Sequence, residues 1–190
     1  MRLVFLGPPG AGKGTQASKL SQFLAIPRLS TGDMLRAAVA AGTAIGLQAA
    51  EMMQRGELVP DQLVVGLIAE RIGQPDAARG FILDGFPRTL AQAESLDAVL
   101  DNQKLNCVLE LKVGEQHLLE RILGRAMQAR ESGAAVRADD NAEVLSVRLT
   151  AYADQTKPLT DYYAARGLLR TIDASQAVDS VTAALIEAIG

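Results

Sequence analysis

A single cysteine, Cys107, excludes an internal disulfide framework, and the lack of any Cys/His cluster excludes a structural zinc site. No run of about 18 apolar residues exists, so no membrane-spanning helix is expected. The segment Met1-Arg2-Leu3-Val4-Phe5-Leu6-Gly7 lacks the n-region and the small-residue cleavage pattern of a signal peptide. A cytoplasmic protein without a membrane partner is the expectation. An excess of positive charge is missing too: the net charge is −3 and the pI about 5.2, which speaks against a general nucleic-acid coat. Lysine is scarce, with 5 among the 19 basic residues against 14 arginines. Arginine's rigid fork suits phosphate or carboxylate, although a genome favouring arginine codons would leave the same bias.

What is present is ordinary for one globular domain: 190 residues, 48% hydrophobic and 22% charged. A chain of this length buries roughly 70% of its unfolded surface and needs no covalent staples. Leu3 to Leu6 is apolar on both faces, as a central parallel strand would be. Gly7 to Gly14 can only be a loop, and Ala17, Leu20, Phe23 and Leu24 then recur at helical spacing. Further strands are expected at Ile26–Leu29, Gly80–Gly85, Cys107–Leu111 and Leu168–Ile172. Helices are expected near 31–41, where Ser30-Thr31-Gly32-Asp33 has the form of a capping box, and at 45–55, 61–72, 89–100, 115–129 and 178–189. A long helix at 143–164 should break at Pro158. Strands alternating with helices predict an α/β fold with a parallel sheet.

Gly7-Pro8-Pro9-Gly10-Ala11-Gly12-Lys13-Gly14-Thr15 fits G-x-x-x-x-G-K, placed between a strand and a helix. Glycines let the backbone N–H groups turn inward around a polyphosphate, the helix start adds its dipole, and Lys13 supplies a full charge. A dinucleotide-binding loop would want G-x-G-x-x-G and no lysine. The residue after the lysine, often a Ser or Thr that ligates Mg²⁺, is Gly14, with the hydroxyl one step later on Thr15. Mg²⁺ is therefore expected to be held mainly through water. Asp84 closes the apolar strand Phe81-Ile82-Leu83-Asp84, where an acid either orients Mg²⁺ or its waters, or caps a turn.

With Ser30-Thr31-Gly32-Asp33-Met34-Leu35-Arg36, Gly56-Glu57-Leu58-Val59-Pro60, Asp84-Gly85-Phe86-Pro87-Arg88 with Gln92, and Arg137-Ala138-Asp139-Asp140-Asn141, the loop makes the chain resemble the adenylate kinases, P-loop nucleoside monophosphate kinases. The segments stand in the family's order and cover essentially the whole chain.

The resemblance implies reversible, Mg²⁺-dependent transfer from ATP to AMP giving two ADP, usually by a monomer. It implies a P-loop-type three-layer fold with a five-stranded parallel sheet. The core would comprise 1–29, 60–125 and 137–190, with an NMP-binding helical insertion at 30–59 and a short lid at 126–136. That lid has only the eleven residues between Arg125 and Arg137 and no cysteine, so it lacks the zinc-stapled form of some relatives. Gly10, Ala11, Gly12, Lys13, Gly14 and Thr15 would bind ATP, with Arg121, Arg125 and Gln176. AMP would contact Thr31, Arg36, Glu57, Leu58, Val59, Gly85, Phe86, Pro87, Arg88 and Gln92, with Arg137 and Arg148 bridging the phosphates in transfer. Lys13, Arg88, Arg125, Arg137 and Arg148 would be the catalytic cations.

Thr31 favours AMP, since alanine is typical of the similar pyrimidine monophosphate kinases. The alternatives are a UMP/CMP kinase, or a P-loop switch without kinase activity; a guanine-nucleotide switch would want N-K-x-D, which is absent. His117 and Cys107 are expected to be structural, as are Tyr162 and Tyr163. Met52 and Met53 are expected to serve in packing.

Overall fold

The computed structural model describes residues 1–101, 103–133, 137 and 139–190. Residues 134–136 of the expected lid and Ala138 of the Arg137–Asn141 motif lie outside the described residues.

The chain opens with β1 (Arg2–Leu6), α1 (Lys13–Leu24), β2 (Arg28–Ser30), α2 (Thr31–Ala40), α3 (Ala44–Arg55) and α4 (Asp61–Ile72). It continues with β3 (Phe81–Asp84), α5 (Leu90–Leu100), β4 (Cys107–Lys112) and α6 (Glu115–Glu131). The last elements are α7 (Ala142–Ala151), α8 (Leu159–Ala164), β5 (Leu169–Asp173) and α9 (Val178–Ile189). Among the described residues the strands form one five-stranded sheet in the order β2-β3-β1-β4-β5. Every pairing is parallel, with Val4 level with Leu83 on one side and with Val108 on the other. No described helix is long and apolar enough to cross a membrane.

The two-residue period of the strands divides the core into two layers. Val4, Leu6, Phe81, Leu83 and Val108 point to the face covered by α4, α5 and α8. Leu3, Phe5, Ile82, Leu109 and Leu111 point to the face covered by α1 and α9. Leu3, Val4, Phe81, Ile82, Leu83, Val108 and Leu109 are 0% exposed, and each such side chain contributes about 1.5–3 kcal/mol through burial. Stability thus resides in the sheet's centre, which frees the loops at its carboxyl ends to carry polar chemistry. Leu35 of α2, Ala49 of α3 and Val59 join the first layer.

Several boundaries differ from the sequence expectation for local reasons. The second strand starts at Arg28 rather than Ile26, because Pro27 can accept a ladder bond from Ile82 N–H (2.9 Å) but has none to donate. Thr89 is a cap rather than the first helical residue, its hydroxyl accepting from Gln92 N–H at 3.1 Å. The capping box is only half formed. Ser30 Oγ accepts from Asp33 N–H at 3.3 Å, but the Asp33 carboxylate turns to Arg28, Arg36 and Arg137. The sixth helix runs two residues past its expected end, to Glu131. The helix expected to break at Pro158 changes earlier: α7 ends at Ala151 and Tyr152–Thr156 form a wide π turn. Proline lacks the N–H that Asp154's carbonyl would need, and its ring crowds that carbonyl, so the preceding turn widens.

Candidate active site

Ligands of open α/β sheets bind beyond the carboxyl ends of the strands, where the strand order reverses. Here those ends carry the Gly7–Gly14 loop after β1 and the Gly85–Arg88 loop after β3. They open into a cavity of about 710 Å³, lined by Gly10 to Thr15, Asp84, Gly85, Pro87, Arg121 and Gln176 among others. A second, smaller cavity of about 60 Å³ is lined by Thr31, Glu57, Leu58, Val59 and Gln92. Arg36, Arg88 and Arg148 line both.

The loop's shape depends on Gly10, whose φ is +86° and whose Cβ, if it had one, would lie 2.8 Å from the Leu118 carbonyl oxygen. α1 begins after Gly12 with no side-chain cap, so the first-turn N–H groups, from Lys13 to Thr15, are available to an anion in the cavity. Lys13 Nζ donates to Gly7 O (2.6 Å) and Pro8 O (2.8 Å), lying back along the loop. Arg121 donates to Ala174 O at 2.8 Å and to Ala11 O at 3.5 Å, joining α6 to the loop and to the end of β5.

The remaining cations converge on the same space, and most hold a carboxylate. Arg148 pairs with Asp139 at 2.6 Å, Arg125 with Asp140, Arg36 with Asp33 at 2.5 Å, and Arg137 with Asp33 at 3.4 Å. Lys13, Arg88 and Arg121 form no ion pair among the described residues. Burial and the crowding of like charge show in the ionisation of these groups. Burial pulls Lys13 down to about 7, with Asp84 opposing and Arg88, Arg148 and Arg125 reinforcing. Burial pushes Arg88 down to about 10, with Arg148 adding to it. Arg148 and Arg137 are lowered chiefly by burial as well. Burial alone would raise Asp33, but Arg36, Ser30 and Arg28 outweigh it and hold the carboxyl below its usual range. The cavity is a preformed anion site short of negative charge.

A pH effect follows. Burial holds Lys13 at about 7, which favours the neutral amine above that pH, and phosphate oxygens beside it would restore its proton. At about pH 8, ATP binding should therefore take up as much as about one proton. Calorimetry in two buffers of different ionisation heat reads this directly. Lys13→Gln should abolish the uptake; wild-type binding with no proton uptake would contradict the assignment.

The structure brings nearly all the sequence-predicted residues to one of the two cavities. Phe86 is the departure: at 1% exposure it belongs to the apolar core and lines neither cavity. A bulky apolar ring next to Leu83 gains more from burial than from a polar cleft. Gln92 reaches the small cavity, but its amide already serves structure: Oε1 accepts from Arg88 N–H (2.7 Å) and Nε2 donates to Asp61 (2.7 Å). The His117 ring is exposed, with Nδ1 3.6 Å from Glu120, and Cys107 is buried in β4. Tyr163 is buried in the core, while Tyr162 donates to Asp97 at 2.8 Å. Met52 and Met53 pack on the core, and Met53 also lines the small cavity.

Sequence reading missed Arg28, which holds Asp84 at 2.6 Å, and Thr156, which donates to Arg88 O at 2.8 Å. It missed the arginine-holding role of Asp139 and Asp140. Their adjacency in the Arg137–Asn141 motif was a signal, whereas Arg28 gave none. For a divalent cation, the cavity wall offers the Asp84 carboxylate and the Thr15 hydroxyl. Among the described residues no three His, Cys, Asp or Glu gather as a metal cage. That donor set suits Mg²⁺ drawing most of its ligands from phosphate oxygens and water.

The chain also resembles known proteins over most of its length. The pattern of the family described as adenylate kinase matches residues 5–168. An adenylate kinase of Methylobacterium radiotolerans is 56% identical over 188 residues, covering 98% of this chain and 94% of its own. One from Azorhizobium caulinodans is 57% identical over 187 residues, covering 97% and 96%. One from Beijerinckia indica is 54% identical over 187 residues, covering 97% of each chain.

Proposed function

The chain belongs to the adenylate kinase family and is an ATP:AMP phosphotransferase, and we propose that its larger cavity holds ATP and the smaller one AMP. The observation that supports this placement is the wall between the cavities, where Arg36, Arg88 and Arg148 face both. Two nucleotides seated on either side would bring their phosphates together over these cations.

An oxygen of the AMP phosphate attacks the γ-phosphorus of ATP, the bond from that phosphorus to the β-phosphate oxygen breaks, and ADP forms on both sides. The attacking oxygen is already ionised and the leaving oxygen departs as an anion, so neither a general base nor a general acid is required. The protein's part is to position the reactants and stabilise spreading negative charge. Lys13 and the first-turn amides of α1 hold the ATP phosphates; Arg121 and Arg125 face them from α6. Arg36 and Arg88 hold the AMP phosphate, and Arg137 and Arg148 bridge the group in flight. The carboxylates now on Arg125, Arg137 and Arg148 keep those cations in place until phosphate replaces them. Asp84 would hold Mg²⁺ through water, and the ion would neutralise charge on the β- and γ-oxygens. Closure of a short lid around both substrates would keep water from the γ-phosphorus.

The division into a core of 1–29, 60–125 and 137–190, an AMP insertion at 30–59 and a lid at 126–136 goes with this reading. Residues 126–131 continue α6, which would make the lid a short extension of that helix. A cytoplasmic monomer completes the proposal, in keeping with free nucleotide substrates and with one chain supplying both cavities.

Acceptor choice tests the AMP site. Thr31 is 2% exposed and donates to Gly85 O at 2.8 Å, leaving its oxygen lone pairs to accept from a base. Thr31→Ala should relax discrimination among AMP, UMP and CMP by about tenfold. Chromatography of the products with each acceptor measures the ratios; unchanged AMP-to-UMP and AMP-to-CMP ratios would remove Thr31 from base selection.

A further inference from the structure

Arg28 stands at the start of β2, beside the strand that ends in Asp84. Its Nε and Nη2 lie 3.0 and 2.6 Å from the same oxygen, Asp84 Oδ2. The same Nη2 is 3.1 Å from Asp33 Oδ2, so one guanidinium bridges two acids. It fits there because the residue after Lys13 has no side chain. A Cβ on Gly14 would meet Arg28 Nη2 at 3.2 Å and Asp84 Oδ2 at 3.6 Å. Arg28 also borders an outer cavity of about 360 Å³, shared with Ser18, Ser21 and Asp33. The guanidinium thus has a second place to go without leaving Asp33.

We propose that Arg28 is a resident counter-cation of Asp84 that yields this carboxylate to the divalent cation and swings onto Asp33, so that it sets how strongly ATP binding depends on the metal. This rests on Asp84 being the metal-orienting acid. A guanidinium on Asp84 Oδ2 and a divalent ion held through water at the same carboxylate repel each other. Metal entry therefore weakens the short contact with Asp84 and favours the shift onto Asp33. With no metal, Arg28 supplies positive charge near the phosphate loop and supports metal-free ATP. Both effects reduce the advantage that the metal confers.

The quantity to measure is the ratio of ATP affinities with Mn²⁺ and with a chelator, obtained by calorimetry without AMP. Arg28→Gln should raise this ratio about tenfold, the worth of one charged contact. Asp84→Asn should lower it, and Arg28→Gln should raise it by less in the Asp84→Asn background than in the wild type, because only the charge near the phosphate loop is then lost. A ratio that Asp84→Asn lowers but Arg28→Gln leaves unchanged or lowers would overturn the role of Arg28 while keeping Asp84 as the metal acid. A ratio indifferent to Asp84→Asn would overturn both. If Arg28→Gln does not fold, Arg28→Lys serves: a single ammonium lacks the fork that grips both acids, and about a threefold rise is expected. No rise with Arg28→Lys overturns the proposal equally.

Discussion

Lys13→Gln is expected to lower kcat/KM by about 10³-fold, equivalent to about 4 kcal/mol of transition-state stabilisation. The size follows from where the ammonium sits. Lys13 lines the larger cavity, and its Nζ donates to the carbonyl oxygens of Gly7 and Pro8 rather than to a carboxylate. No carboxylate pairs with it among the described residues, so ATP phosphate can meet it and restore its full charge. Charge migrates from the γ- to the β-phosphate oxygens during transfer, and a full charge in a poorly hydrated cavity has most effect there. Glutamine keeps a donor but loses the charge, so kcat should fall more than ATP affinity. Steady-state kinetics with both nucleotides varied, beside a melting curve to exclude unfolding, checks this. A variant with kcat within tenfold of wild type would show that Lys13 shapes the loop without stabilising the reaction.

Arg88→Ala should reduce turnover about 10²-fold or more, about 2.7 kcal/mol, even at saturating substrates. Its backbone is clamped from two directions: Gln92 accepts from its N–H at 2.7 Å and Thr156 donates to its carbonyl at 2.8 Å. The side chain donates from Nε to Gly85 O at 2.8 Å and lines both cavities. A fork fixed at its base needs little reorganisation to grip a phosphate. Alanine removes the fork and leaves the clamp, so the loss should fall on kcat with AMP saturation restored only at higher concentration. Arg88→Lys, keeping charge without the paired geometry, should recover part of the rate. Turnover near wild type in the alanine variant would place the transferring phosphate elsewhere.

Much of this architecture was legible residue by residue. Glycine spacing and Lys13 marked the phosphate loop because a turn and a charge are local properties. The apolar run at Phe81–Leu83 marked a buried strand, and helical spacing marked α1 and α9. Boundaries slipped where a backbone donor was missing, at Pro27 and before Pro158, since the consequence of a lost N–H falls on a neighbouring turn or strand. The site residues were legible largely as a set of motifs in order, which says nothing of what each side chain touches. The set placed Phe86 among the contacts of AMP, while the structure buries its ring in the apolar core.

Local pattern alone determined the fold class, the phosphate loop and the supply of arginines, because hydrophobic period, glycine and charge are written in consecutive residues. Only the tertiary structure decided that Arg28 closes on Asp84 across 56 positions, that Thr156 steadies Arg88 across 68, and that Arg36, Arg88 and Arg148 share a wall between two cavities. It also decided the depressed ionisation of Lys13, which comes from burial among other cations. Such pairings and fields depend on distance in space, which the parallel crossovers create by laying remote loops side by side at the carboxyl edge of one sheet.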